Sequence, residues 1–140
     1  MVEGSLMEDK PTTVYYDEEN DIIYVKLLSQ INIDNVDAHI SSLNSVSRSS
    51  KRKCQLIDAS DVRNLILDKE TRQIMRENGL RLGIRRIAYV GLSPVSRMMF
   101  RALHAGNQDT GPEYGFFYNE SEALVWLGKE DPVTTEVAYE

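Results

Sequence analysis

The stretch QLIDASDV at residues 55–62 places Asp58, Ser60 and Asp61 directly after a short apolar run. A hydroxyl flanked by carboxylates admits three chemistries. The serine can carry a phosphate and act as a switch. A carboxylate at a strand end can serve as a general acid, base or nucleophile. Alternatively, the carboxylates only turn the chain, through side-chain bonds to nearby backbone. Catalysis would require a partner for Asp58, and His104 is the available base, but it falls at the far end of a later helix. No Gly-x-Ser-x-Gly elbow, phosphate-binding glycine loop or nucleophile–base pairing occurs. The expectation is therefore no catalytic residue and no enzyme, with an enzyme using Asp58 as the lesser alternative.

A second constellation lies in SPVSRMMFRALHAG, residues 93–106. Helical spacing gives Val95, Met98, Met99, Ala102 and Leu103 one broad apolar face, which Phe100 and His104 extend around one side. Core packing accounts for Val95, Met99 and Leu103, and is the favoured reading of Met98. Met98, Phe100 and His104 are also the candidates for a ligand pocket or a partner surface, since methionine and aromatic side chains adapt to varied apolar shapes. Arg97 and Arg101, four apart on the solvent side, suit an anionic head group or a partner's carboxylates, or are simply solvated. Cys54 is the single cysteine, within an apolar run, and reads as a packed inert thiol. With only His39 and His104 beside it, no metal-ligand spacing is present, and neither a metal nor a cofactor is expected.

Positioning these residues requires a series of alternating elements. TTVYY (12–16) and DIIYVKLL (21–28) read as strands of a hairpin joined by DEEN. Ile23, Val25 and Leu27 share one face, Ile22, Tyr24 and Leu28 the other, as in a strand covered on both sides. Asn32 or Asp34 is placed to cap a helix bearing Val36, Ile40, Leu43 and Val46 inward, with His39 at its boundary. KCQLIDAS forms a buried strand. A second helix is predicted over 68–78, capped by Asp68 and ended by Gly79, with Thr71, Ile74, Met75 and Asn78 inward and Arg72, Arg76 and Glu77 in water. The strand IRRIAYVGL (84–92) leads through Ser93-Pro94 into the third helix, which ends at about Ala105. YGFFY is the last strand, and Asn119 with Glu122 starts a last helix with Ala123, Trp126 and Leu127 inward. The order β-β-α-β-α-β-α-β-α predicts a single α/β domain with a mixed, mainly parallel sheet and an antiparallel edge hairpin.

A chain of 140 residues suits one domain. The expected boundaries are a flexible N-terminus over 1–11, the domain over 12–128 and a flexible acidic tail over 129–140. The net charge of −6 argues against nucleic acid as the main partner. No apolar run approaches a membrane span, and the first residues lack a secretory signal pattern, so a cytoplasmic location is expected. Charge is unevenly distributed: residues 48–101 hold 13 of the 16 basic residues and 5 of the 22 acidic ones. A basic middle between acidic ends fits an anion-binding face, complementary surfaces in an oligomer, or solvated faces whose charges intermix.

With these elements in place, LIDASDV at the third strand, RIAYVGLSP leading into the third helix and FFYNESEALVWL near the end resemble STAS domains (sulfate transporter and anti-sigma factor antagonist). The nearest branch is similar to single-domain bacterial proteins grouped with both STAS and CRAL-TRIO lipid-transfer folds. The resemblance spans roughly residues 12–128. It implies a non-enzymatic regulatory or protein-interaction domain with a regulatory protein partner and a homodimeric state. Its CRAL-TRIO side implies instead a carrier or sensor of a small apolar or lipid-like anion. By position, Ser60 matches the phosphorylatable serine of STAS antagonists, with Asp58 and Asp61 beside it. The family motif is closer to Asp-Ser-Ser-Gly, where this chain has DASD.

Overall fold

Five strands form one sheet in the order β1-β2-β3-β4-β5: β1 Thr12–Asp17, β2 Ile22–Leu27, β3 Cys54–Asp58, β4 Arg86–Val90 and β5 Glu113–Phe117. The structure is a computed structural model that describes residues 10–105 and 111–129. β1 pairs antiparallel with β2, and every later pairing is parallel. Four helices connect and follow the strands: α1 Val36–Ser47, α2 Lys69–Leu82, α3 Pro94–Ala105 and α4 Glu120–Leu127. The expected element order and hairpin edge are both present.

The strand order dictates where the helices go. From β2 to β5 each crossover steps to the next strand in the same direction, and right-handed connections then put every intervening helix on one face. α1, α2 and α3 accordingly share a cluster with Ile23, Val25, Leu27, Ile57, Ile87 and Tyr89. α4 follows the last strand, is free of that constraint, and closes the opposite face against Ile22, Cys54, Leu56, Ala88 and Val90. At the start of α4, Tyr24 donates to Glu120, and Tyr15 stacks on Tyr24 with ring centroids 4.9 Å apart.

Several helix boundaries differ from the sequence expectation. α1 begins at Val36, because Asn32 spends its side chain accepting from the Asp34 and Asn35 N–H groups of the preceding turn. α2 runs through Gly79 and stops only at Gly83, whose φ of 76° is the left-handed geometry that ends a helix. Its start is as expected, with the Asp68 carboxylate accepting from Thr71 N at 2.7 Å. Asn119 likewise caps α4, accepting from Glu122 N at 3.0 Å. The expected flexible ends at 1–11 and 129–140 fall mostly outside the described residues. At their inner limits, the Pro11 carbonyl accepts from Leu28 N, and the Lys129 carbonyl accepts from Arg52 and Arg86.

Candidate functional site

α1 and α4 lie close on the sheet, whereas α2 and α3 are held further from it. The resulting gap is a cavity of about 320 Å³ on the three-helix face. Its floor comes from Gln55 and Ile57 of β3, Ile87 and Tyr89 of β4 and Tyr114 of β5, and its walls from α1, α2 and α3. Alternation along β3 explains the floor: Cys54, Leu56 and Asp58 turn to the α4 side, so Gln55 and Ile57 turn to the cavity. Lys69 and Gln73, exposed, and Arg72 and Arg76, half-buried, form the rim along α2.

Three side chains in this region depart from the sequence reading. His39 is not a boundary residue. It is 1% exposed on the inward side of α1, midway between Val36 and Leu43, and its Nδ1 lies 2.8 Å from Thr12 Oγ1. Burial lowers its pKa to about 4, so the ring is neutral at neutral pH. Arg72 and Arg76 do not simply face water. Both are half-buried at the rim, and Arg72 Nε donates to the Leu67 carbonyl at 3.2 Å. Helical spacing alone marks residues 72, 76 and 79 as a stripe beside the inward one, but not that the sheet would stand off from it.

α3 is rotated relative to its expected orientation. Ser96 and Phe100 are buried, while Val95 is 65% and Met98 69% exposed, with Met99 also exposed. The reading of Val95, Met98 and Met99 as core is therefore corrected. The rotation is fixed by Ser96 Oγ, which donates to the Leu65 carbonyl at 3.2 Å, and by Phe100, whose ring lies 5.3 Å from that of Tyr89. His104 lines the cavity and stacks on Tyr114, centroid to centroid 3.5 Å. Burial, then the nearby Arg72 and Arg76 cations, lower its pKa to about 4. Arg97 and Arg101 lie over aromatic rings, Tyr118 at 4.2 Å and Phe116 at 5.5 Å. Thus Phe100 and His104 belong to the cavity side and Met98 to the outer surface. The candidate surface is split by its own helix.

The Asp58 loop lies at the carboxyl end of β3, with Asp58 on the α4 side of the sheet. Asp58 Oδ1 accepts from Ser60 N at 2.9 Å and from Ser60 Oγ at 2.6 Å, forming a side-chain-closed turn. Burial pushes the Asp58 carboxyl up, but the Ser60 bonds, Lys26 and Tyr24 outweigh it and hold it below the usual range. Lys26 Nζ lies 3.5 Å from Asp61, and Tyr24 OH donates to Glu120 at 3.0 Å. Gly91, at φ +85°, packs on this turn so closely that an added Cβ would sit 2.8 Å from Ser60 Oγ. Ser60 stands on the loop well before α2, not at a helix start. Asp58 and His104 are on opposite faces of the sheet and are not brought together.

The basic middle of the chain is distributed rather than pooled. Arg52 donates to the carbonyls of Leu127 and Lys129, and Arg86 donates to Trp126 and Lys129 and pairs with Glu113 at 3.0 Å. These two arginines close the carboxyl end of α4. Burial raises the pKa of Cys54, so its thiol stays protonated, as the sequence reading of an inert thiol expects. No helix among the described residues is long and apolar enough to cross a membrane.

Solved structures with the same arrangement identify the architecture. A Thermotoga maritima protein assigned as an anti-sigma factor antagonist superposes with a TM-score of 0.62 at 11% identity, over 84% of this chain and 95% of that one. This is a STAS-like fold. A Shewanella loihica protein of the DUF3478 family, described as having a SpoIIAA-like fold, gives a TM-score of 0.56 at 18% identity, over 83% of this chain and 91% of that one. No family model and no curated protein matches the sequence. The STAS-like resemblance carried by the three sequence motifs is thus matched by the fold.

Proposed function

We propose that this STAS-like domain is a non-enzymatic regulatory module whose three-helix face binds a small apolar or lipid-like anion, as sensor or carrier. The observation that carries this reading is the apolar cavity with a cationic rim. Protein interiors pack densely, and an unfilled apolar space forfeits the contacts its lining would otherwise make. A space of about 320 Å³ is within the size range of small-molecule sites. Lys69 and Arg72 give its rim a positive potential, which favours an anionic head over a neutral one. The neutral histidines and protonated tyrosines of the lining offer contact surface and no activated nucleophile, which supports binding over catalysis.

Regulatory output through protein contacts, including self-association, is supported by the outward side of α3, where Val95, Met98 and Met99 lie exposed together. The test of the binding reading is native mass spectrometry of the purified protein with and without decanoate, followed by the same sample denatured. Either a co-purified mass lost on denaturation or a saturable decanoate adduct is expected, with the decanoate adduct weakened in Arg72→Ala. Absence of both overturns the reading.

A further inference from the structure

Gln55 is out of place for a central strand. It lies in β3, between β2 and β4, in register with Ile23 and Ile87, and is only 4% exposed. Among the described residues its amide makes no hydrogen bond, although it forms part of the cavity floor. The amide opens into the cavity, where it is available to a partner that the protein itself does not supply. Ile57 and Ile87 flank it on the floor, and the same cavity is lined by the ring of His39, whose Nε2 is buried without a partner among the described residues. The polar lining of the cavity thus includes the Gln55 amide and the His39 imidazole, the His104 imidazole on the α3 wall, and the cations Lys69 and Arg72 at the rim.

We propose that the ligand is two-ended: an apolar body with an anion at the rim and a hydrogen-bonding group at its far end, received by the Gln55 amide. This rests on the binding reading above and narrows its ligand class from simple apolar anions to those with a distal hydroxyl, carbonyl or amide, such as ω-hydroxy carboxylates. The amide suits this role because it both donates and accepts, so it accommodates any of these groups. His39 positions the floor, tied back to β1 through Thr12 and kept neutral by burial. A plain alkyl end would leave the amide unpaired. A hydroxyl would lose its water shell and regain a partner.

The experiment compares hexanoate, octanoate, decanoate and dodecanoate with their ω-hydroxy counterparts, by titration calorimetry on the native protein and on Gln55→Leu. At the best-fitting length the native protein is expected to prefer the hydroxylated ligand by about tenfold. In Gln55→Leu the order should reverse, because the hydroxyl then meets only apolar surface. Gln55→Met serves if the leucine variant does not fold. Binding of both series without preference, or a preference unchanged in the Gln55 variants, overturns this inference and leaves the binding reading standing. A preference abolished by His39→Leu and not by Gln55→Leu assigns the contact to the imidazole and overturns the role given to Gln55. Failure of every carboxylate to bind the native protein overturns this inference, and together with the absence of a co-purified mass it overturns the binding reading as well.

Discussion

On the α4 side of the sheet, Leu56, Ala88, Ala123 and Leu127 are sealed from solvent, and Arg52 and Arg86 close the end of the covering helix. On the other side the same strands present Gln55, Ile87 and Tyr89 to a cavity, under helices that stand off from the sheet. One short helix packs its face more completely than three longer helices pack theirs. Connectivity alone does not set the difference, because α1 is fixed at both ends between parallel strands as α2 and α3 are, yet lies close on the sheet. Bulky floor residues occupy the space under α3, where the Tyr89 ring lies 5.3 Å from that of Phe100. The closed face supplies stability, and the open face has room for function.

The sharpest way to break this comparison is to truncate one leucine on each face. Leu56→Ala leaves a hole that nothing can relax into, and a loss of roughly 2–5 kcal/mol is expected. Leu103→Ala, at the wall of a space that is already open, should lose only about 1 kcal/mol. Urea unfolding of the two variants measures both. Equal losses would mean that the three-helix face is as tightly packed as the other, and the cavity would have no energetic meaning.

Acid sharpens the comparison, because the buried histidines are on the open face. An unfolded histidine takes its proton near pH 6.5, but His39 resists until about pH 4. Between those values the unfolded chain holds more protons, so stability is complete above about pH 6.5 and falls as the pH drops toward 4. The loss from His39 alone is on the order of 3 kcal/mol. His104 adds to it in the same window, since its pKa is displaced in the same direction. Urea midpoints measured across this range should decline in the native protein and flatten in His39→Leu. An unchanged slope in that variant would remove His39 from the account.

The sequence carried the element order, the hairpin edge and the side-chain caps at Asp68, Ser93 and Asn119, because each depends on local spacing and on one or two residue types. The closed face was legible for the same reason: Ala123, Trp126 and Leu127 needed only helical periodicity. The cavity was not legible. Its floor residue Gln55 stood inside an apolar run, His39 was one step from the assumed centre of α1, and α3 carries apolar residues all round. Periodicity cannot choose between such faces. A contact as distant as Ser96 to Leu65 makes the choice. The chain-turning role of Asp58, one of the three chemistries open to that stretch, is local enough to be legible, since its Asx-type bond joins residues only two apart.

Asn119→Ala tests the closed face more gently. Loss of the bond to Glu122 N should cost about 1 kcal/mol and leave decanoate binding unchanged, because α4 takes no part in the cavity.

The smallest expected effect concerns Ser60. Its backbone bond to Asp58 survives in Ser60→Ala and only the hydroxyl bond is lost, so a stability change of about 0.5 kcal/mol is expected. Ser60→Asp would add a carboxylate beside Asp58 and Asp61, with Lys26 the nearby cation, and its larger penalty should shrink in high salt. Neither variant should alter decanoate affinity, because the Asp58 side chain is on the far side of the sheet from the cavity. A shift in affinity in Ser60→Asp, measured at matched ionic strength, would mean that charge on this turn reaches through β3 to Gln55. The turn and the cavity would then be two ends of one regulatory device, and the division between a closed face and an open one would fail at β3.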